Sequence, residues 1–184
     1  MSRPSATLTL TLADEAATVA LAQRLAHLLR GDDAAERPPG GRIHLRGELG
    51  TGKTTLARAL LRASGIQGRI KSPSYALLES YNISNLYFYH FDFYRFSDAQ
   101  EWQDAGFREL FDENAVILIE WPEQAGTRLP PPDLDILLEH AGTGRRASID
   151  AYSDKGRLWL TQLTPSGRSE EHTAELQSPC NLVC

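Results

Sequence analysis

The sequence is poor in several features that mark particular classes of protein. It contains two cysteines in 184 residues, and both, Cys180 and Cys184, lie near the C-terminal end. A disulfide framework or a cysteine-based zinc site is therefore not supported. No apolar run approaches the roughly 18–20 residues of a membrane-spanning helix, and the N-terminal residues lack the apolar segment of a secretory signal. We therefore expect a cytoplasmic protein without a membrane segment.

An excess of basic charge is also missing. The chain has 19 lysines and arginines against 24 acidic side chains, which gives a net charge of −5 at pH 7 and an isoelectric point near 5.5. A protein that binds nucleic acid by itself normally carries a clustered basic patch. We therefore expect any work on nucleic acid to pass through a partner, and we interpret the adjacent pair Arg145-Arg146 as part of a solvated loop.

One glycine-rich segment carries a specific chemical signal. Residues 47–54, GELGTGKT, match the phosphate-binding loop G-x-x-x-x-G-K-[ST] at every defined position. Residues 42–46 before it resemble a strand, and residues 54–63 after it have helical spacing of apolar side chains. In a strand–loop–helix unit of this kind, backbone N–H groups and the helix N-terminus surround a polyphosphate. The nucleotide-binding set that we predict is Gly47, Glu48, Leu49, Gly50, Thr51, Gly52, Lys53, Thr54 and Thr55.

Two residues of this loop have separate expected roles. Lys53 should reach the outer phosphates and take part in catalysis, and the Thr54 hydroxyl should hold a magnesium ion. We expect the Lys53 side chain to be exposed, because it lies on a surface loop.

A phosphate loop also needs an acidic partner on a neighbouring strand to hold magnesium. Two acids end apolar runs: Glu120 ends residues 115–120, and Asp92 ends residues 86–92. Both are candidate metal ligands and candidate catalytic groups. The sequence does not assign the metal ligand and the water-positioning group between them, and either could instead be a solvated acid at a strand end.

Two serines flank a proline that keeps their segment extended and non-helical. Ser72 and Ser74 are candidates for sensing the outer phosphate, because a hydroxyl on a mobile loop can bond phosphate or magnesium in the triphosphate state alone. The competing interpretation is a pair of ordinary turn serines.

Two ring side chains lie next to the acidic candidates. Trp121 directly follows Glu120 and could stack on the nucleotide base, or it could pack in the core. His90 alternates onto the same strand face as Asp92, where we expect a packed or hydrogen-bonded histidine.

The patterning predicts the following elements along the chain. The helices are expected between Asp14 and Gly31, over residues 54–63, and after a cap at Ser97. The strands are expected at residues 7–12, 42–46, 76–81, 86–92, 115–120, 134–138, 147–152 and 158–162.

The C-terminal segment has a different character. Residues 168–178, RSEEHTAELQS, resemble the conceptual translation of a common sequencing adapter. We therefore interpret residues 166–184 as a disordered tail and an assembly artefact, which would remove both cysteines, and residues 1–165 as a single domain.

Four motifs occur together in the order and spacing of one family. They are residues 47–54, residues 72–75 (SPSY), residues 90–95 (HFDFYR) and residues 119–123 (IEWPE). In these motifs, and over residues 8–163 as a whole, the chain resembles the TsaE family, the bacterial ATPase needed to make threonylcarbamoyladenosine in transfer RNA. The family usually has threonine where this chain has Ser74, so the hydroxyl is kept and the β-branch is lost.

The resemblance implies a fold, an activity and partners. The implied fold is an α/β P-loop NTPase-type three-layer sandwich with a mixed, mainly parallel central sheet. The implied activity is hydrolysis of ATP to ADP and phosphate with Mg²⁺, alongside TsaB and TsaD, with transfer RNA reached through these partners. By position, the resemblance implies that Lys53 contacts phosphate and that Thr54 binds magnesium. Asp92 and Glu120 would serve the metal and hydrolysis. The loop that contains Ser74 would act as a switch, and Trp121 would lie near the base.

Two other functions remain open from the sequence. The first is a small-molecule P-loop kinase, although Arg95 and Arg108 are the only basic residues between positions 93 and 114, which is few for a lid over a transferred phosphate. The second is a non-enzymatic, nucleotide-gated binding module. A guanine-recognition motif is not apparent, and the preference for ATP rests mainly on the family.

Overall fold

The computed structural model describes residues 3–31, 39–83, 86–96, 106–111 and 115–164. Its strands are β1 (Ala6–Leu12), β2 (Gly41–Arg46), β3 (Leu78–Ile83), β4 (Leu86–Asp92), β5 (Ala115–Glu120), β6 (Leu134–Ala141) and β7 (Gly144–Ala151). Its α-helices are α1 (Glu15–Arg30), α2 (Lys53–Ala63) and α3 (Asp154–Leu163), and two 3₁₀ segments cover Phe107–Leu110 and Pro122–Arg128.

The strands form one mixed sheet in the order β1-β7-β6-β2-β5-β4-β3. The four central strands, β6, β2, β5 and β4, are parallel to one another, and the outer pairings are antiparallel. Every residue of β5 is buried, as expected for a central strand covered on both faces. The predicted α/β fold with a mixed sheet and a parallel centre is confirmed.

The two faces of the sheet are covered differently. Helices α1, α2 and α3 pack on one face, against alternate strand residues such as Ile43, Leu45 and Leu118. The other face carries an aromatic cluster around Phe91 and Phe93. Within the described residues, this second outer layer is built from 3₁₀ segments and loops rather than α-helices.

Local sequence signals account for the limits of α1. The Asp14 carboxylate accepts a hydrogen bond of 2.8 Å from the Ala17 N–H, which satisfies one of the free donors of the first turn. Gly31 ends the helix in the left-handed conformation with φ 68°, which a residue with a Cβ adopts only at a cost. Both ends agree with the sequence prediction.

The predicted strand at residues 158–162 is wrong, because this segment belongs to helix α3. Ser153 caps α3 by accepting from the Gly156 N–H at 3.0 Å. The buried side chains Trp159, Leu160 and Leu163 repeat at helical spacing. In so short an apolar segment, the helical period is hard to separate from the strand period.

Strand β3 begins at Leu78, two residues later than predicted. Leu77 has φ 64° and donates its N–H to the Pro73 carbonyl at 2.7 Å, so the residues before Leu78 form a turn. The helix expected after Ser97 and the expected tail at residues 166–184 lie outside the described residues. Among the described helices, none combines the length and hydrophobicity needed to cross a bilayer.

Candidate active site

The site lies where the carboxyl ends of β2, β5 and β4 meet the start of α2. In the sheet register Leu45 pairs with Glu120, and Asp92 pairs with Glu120. Since paired residues of parallel strands share a face, the two acids lie side by side. The loop that follows β2 passes directly beside them, at the crevice where open α/β sheets bind ligands.

The loop between β2 and α2 has the shape of an anion-binding loop. Gly47, Gly50 and Gly52 all have positive φ, at 129°, 80° and 101°. Inside the loop the Thr51 hydroxyl donates to the Glu48 carbonyl at 2.9 Å, which closes a turn. Gly52 is the N-cap of α2 and has no side chain to bond the first-turn N–H groups. These donors therefore remain available to an anionic ligand.

Residues of the β6–β7 hairpin contact the loop and support its conformation. A Cβ on Gly47 would lie 2.2 Å from the Leu138 carbonyl oxygen, so only glycine fits there without a shift. The Arg145 guanidinium donates to the Thr51 carbonyl at 3.1 Å and to the Gly50 carbonyl at 3.3 Å. The interpretation of Arg145 as part of a solvated loop is therefore wrong. No local signal could have shown this contact, because it joins residues more than ninety positions apart.

Lys53 is buried, contrary to the expectation of an exposed lysine, with 4% of its surface accessible. Its ammonium donates to the carbonyls of Gly47 at 2.6 Å and Glu48 at 2.8 Å, and it lies 3.8 Å from the centre of the Trp121 ring. Burial lowers the pKa of Lys53, while the nearby carboxylates, Glu120 foremost, act in the opposite direction. The ammonium thus already occupies the hollow of the loop.

Glu120 joins the loop to the sheet through two hydrogen bonds. Its Oε2 accepts from the Thr54 hydroxyl at 2.7 Å, and its Oε1 lies 2.9 Å from His90 Nε2. For an ionised Glu120, His90 must donate from Nε2. Both Glu120 and His90 are buried, so Glu120 is not a solvated strand-end acid. His90 is hydrogen-bonded, as the sequence suggested, and it fixes the orientation of Glu120.

Asp92 lies beside Glu120 and is also buried. Its Oδ1 accepts from the Tyr94 N–H at 3.0 Å, and its Oδ2 is 3.4 Å from the Ser72 hydroxyl. Burial raises the pKa of Asp92, the Tyr94 N–H opposes this, and the charge of Glu120 raises it further. Two buried carboxylates on paired residues of neighbouring strands favour a cation between or beside them.

An open cleft of about 380 Å³ connects these groups. The phosphate-loop residues Leu49, Gly50, Gly52, Lys53, Thr54 and Thr55 line it, together with Ser72, Ser74, Asp92, Glu120 and Trp121. Gly47, Glu48 and Thr51 do not line the cleft, and their contacts maintain the shape of the loop.

Tyr94 and Arg95 also line the cleft, although the sequence did not single out Tyr94. The Tyr94 ring lies 5.1 Å from the Trp121 ring, and the Arg95 guanidinium lies 4.2 Å from the centre of the Tyr75 ring. Both residues directly follow Asp92, and this position after the strand-end acid was the signal available in the sequence.

Trp121 is held in an unusual backbone conformation. Its φ is 57°, a conformation that costs a non-glycine residue on the order of 1–3 kcal/mol. The Trp121 N–H donates to the Leu45 carbonyl at 3.2 Å, which ties the residue to β2. The strained turn directs the ring under the Lys53 ammonium.

The donor set suits magnesium. Mg²⁺ binds through one or two carboxylates, keeps several waters and takes further oxygens from substrate phosphates. Thr54, Glu120 and Asp92 offer one hydroxyl and two carboxylates beside the phosphate loop. Thr54 and Glu120, which already bond each other, would hold the ion together with a bound polyphosphate, and Asp92 would lie beside it.

Comparison with known proteins points to one family. The family model described as "Threonylcarbamoyl adenosine biosynthesis protein TsaE" matches residues 12–148. A Haemophilus influenzae protein named "tRNA threonylcarbamoyladenosine biosynthesis protein TsaE" is 39% identical over 115 residues, which cover 62% of this chain and 73% of the relative. A Rickettsia felis protein of the same name is 36% identical over 151 residues, covering 81% of this chain and 83% of the relative.

A solved structure agrees with the sequence matches. The crystal structure of Bacillus subtilis YdiB superposes with a TM-score of 0.69 at 27% sequence identity. The superposition covers 89% of this chain and 97% of the YdiB chain. The residues that the family model matches include the phosphate loop, both buried acids and Trp121.

Proposed function

The chain belongs to the TsaE family of threonylcarbamoyl adenosine biosynthesis proteins, and on this premise we propose that it is a magnesium-dependent P-loop ATPase. It hydrolyses ATP to ADP and phosphate in the cytoplasm and supports threonylcarbamoyl modification of adenosine in transfer RNA. It does so together with TsaB and TsaD, which make the contact with transfer RNA. The observation that supports this proposal best is the chain of hydrogen bonds from Thr54 through Glu120 to His90 beside a preformed phosphate loop.

Phosphate binding rests on the loop and on Lys53. The loop offers the N–H groups around Gly50 and Gly52 and the positive end of the α2 dipole. The Lys53 ammonium now bonds two loop carbonyls, and we propose that it transfers these bonds to the outer phosphate oxygens of ATP. Trp121 shields the ammonium from solvent while it does so.

The two acids divide the remaining work. Glu120 already accepts from the Thr54 hydroxyl, so we assign it to the magnesium side of the site. Asp92 lies next to the Ser72 hydroxyl and the Tyr94 N–H, so we assign it to orienting the attacking water. Magnesium, when bound, would neutralise charge on the phosphate oxygens.

Neutralisation of the developing charge needs a further cation in most phosphoryl-transfer sites. Arg95 lines the cleft, but its guanidinium lies over Tyr75, and Arg145 already bonds the carbonyls of the loop. We therefore propose slow turnover by the chain alone and faster turnover when TsaB and TsaD complete the site. The net charge of −5 likewise favours contact with transfer RNA through partners.

Product analysis with both partners present separates this proposal from its rivals. The protein is incubated with magnesium and ATP labelled at the γ-phosphate, and the products are separated. We expect ADP and free phosphate in equal amounts. Label on an acceptor molecule would instead show a kinase, and stoichiometric binding without turnover would show a nucleotide-gated binding module.

A further inference from the structure

Arg95 lines the cleft that holds the phosphate loop and both buried acids, and its guanidinium lies 4.2 Å from the centre of the Tyr75 ring. We propose that Arg95 contacts the outer phosphate of ATP in the transition state and that the Tyr75 ring holds it at the rim of the cleft until then. This inference rests on the proposed function, because it concerns the hydrolysis step at the phosphate loop.

The backbone of Arg95 is anchored beside the site. Arg95 lies between Phe93 and Phe96, which are both buried and whose ring centroids are 4.9 Å apart. The Phe96 N–H donates to the Phe93 carbonyl at 2.9 Å, which closes a turn around Arg95. The Phe93 N–H donates to the Glu120 carbonyl at 3.0 Å. The turn that carries Arg95 is therefore tied to the strand end that carries Glu120.

The side chain of Arg95, in contrast, is exposed and weakly held. Among the residues that the structure describes, no carboxylate forms an ion pair with it. Lys53, the other cation that lines the cleft, already bonds two loop carbonyls. A cation stacked on an exposed ring is held weakly, so Arg95 can exchange this contact for charge-assisted bonds to phosphate oxygens.

Tyr75 draws the guanidinium toward the rim. The Tyr75 side chain is 83% exposed, and among the described residues the cleft is lined by Ser74 and Arg95 but not by Tyr75. The Leu77 N–H donates to the Pro73 carbonyl at 2.7 Å, which fixes the short turn that carries Tyr75. The contact with Tyr75 therefore competes with any contact that Arg95 makes at the phosphate loop.

The step that Arg95 would assist is hydrolysis at the γ-phosphorus. A water oxygen bonds to this phosphorus while its bond to the oxygen shared with the β-phosphate breaks, and the electron pair stays on that oxygen in ADP. The water releases its proton to solvent. Negative charge spreads over the γ-phosphate oxygens in the transition state. Arg95 stabilises this charge through its N–H groups and keeps its own protons, since a guanidinium is not deprotonated in proteins.

Replacement of Arg95 tests the catalytic role. With magnesium, ATP, TsaB and TsaD present, Arg95→Gln should lower kcat for phosphate release by about a hundredfold or more. The affinity for ATP should change by less than about threefold, because the contact forms in the transition state. Arg95→Lys keeps the charge without the planar fork and should recover part of the loss. The matched control is Arg62→Gln on the exposed side of α2, which should behave as the parent does.

Replacement of Tyr75 tests the hold on Arg95. In the isolated chain, Tyr75→Leu should raise kcat by about two- to fivefold, the range that an exposed cation–π contact permits. The double variant with Arg95→Gln should be as slow as Arg95→Gln alone. The matched control is Tyr87→Leu, which removes another exposed tyrosine ring and should leave kcat at the parent value.

The possible results separate the parts of the proposal. An unchanged kcat in Arg95→Gln, or a loss confined to ATP affinity, would overturn the catalytic role of Arg95. A kcat at or below the parent value in Tyr75→Leu would overturn the hold by Tyr75. Both results leave the phosphate loop assigned as before, whereas a parent protein that neither binds nor hydrolyses ATP would overturn the proposed function as well.

Discussion

A single methyl group at Gly47 should damage the phosphate loop far more than the same change at Gly50. Both glycines lie in the loop with positive φ, at 129° and 80°. They differ in their surroundings, since a Cβ at Gly47 would meet the Leu138 carbonyl oxygen at 2.2 Å, whereas a Cβ at Gly50 has nothing within 4 Å. Gly50→Ala is therefore a matched control for Gly47→Ala.

The expected loss of stability has two sources, the positive φ and the contact that an added Cβ would make. At Gly50 only the backbone term applies, about 1–2 kcal/mol for a left-handed residue with a Cβ. At Gly47 the less favourable φ costs about 1–3 kcal/mol, and the forced shift of a packed backbone adds about 1–3 kcal/mol. Alanine also lowers the conformational entropy of the unfolded chain, which stabilises both variants by a similar amount and cancels in the comparison.

Urea unfolding followed by circular dichroism measures the difference. We expect Gly47→Ala to lower the free energy of unfolding by about 1–3 kcal/mol more than Gly50→Ala, and to weaken ATP binding because β6 no longer supports the loop. Equal unfolding midpoints with equal slopes in the two variants would refute the reasoning. That result would mean that the contact between the loop and Leu138 does not constrain position 47.

Three further predictions concern single side chains. Lys53→Met keeps the buried stem and removes the ammonium, so a folded variant should lose ATP affinity by at least about tenfold in calorimetric titration; unchanged affinity would contradict the phosphate-loop assignment. Glu120→Gln and Asp92→Asn should each reduce phosphate release about a hundredfold or more in the complete complex. Glu120→Gln should also reduce the magnesium dependence of ATP binding, whereas Asp92→Asn should not. If either variant releases phosphate at the parent rate, the acid that it replaces has only a structural role. His44 is buried, and its pKa is lowered to about 3, mainly by burial and to a lesser extent by the charges of Arg46 and Arg42. Below pH 6.5 the unfolded chain therefore takes up a proton that the folded chain does not. Stability should fall by up to about 1.4 kcal/mol per pH unit from pH 6.5 toward pH 3, and His44→Leu should remove this slope in urea unfolding at a series of pH values; an identical slope in the variant would show that His44 is not its source.

The parts of the fold that depend on neighbouring residues could be predicted from the sequence. The glycine positions of the loop, the cap of α1 at Asp14 and the acid that ends the buried strand β5 are all local patterns. Asp92 and Glu120 were identified because each ends an apolar run, and the structure places them side by side at the edge where the parallel strands end.

The parts that depend on tertiary contacts could not be predicted. The contact of Arg145 with the phosphate loop needs the β6–β7 hairpin to fold against β2. The burial of Lys53 under Trp121 depends on a left-handed residue that only the surrounding structure enforces. Residues 158–162 were wrongly predicted as a strand because they belong to a ten-residue helix, whose few apolar positions do not separate the helical period from the strand period.

Steady-state phosphate release tests the central claim most directly. The parent protein and Lys53→Met are each assayed with magnesium and ATP, alone and with TsaB and TsaD, at one fixed salt concentration. We predict slow release by the parent alone, a clear increase with both partners, and no release above background by Lys53→Met in either condition. Equal parent rates with and without the partners would show that the site is complete in this chain, and release by Lys53→Met at the parent rate would show that the phosphate loop is not the catalytic site.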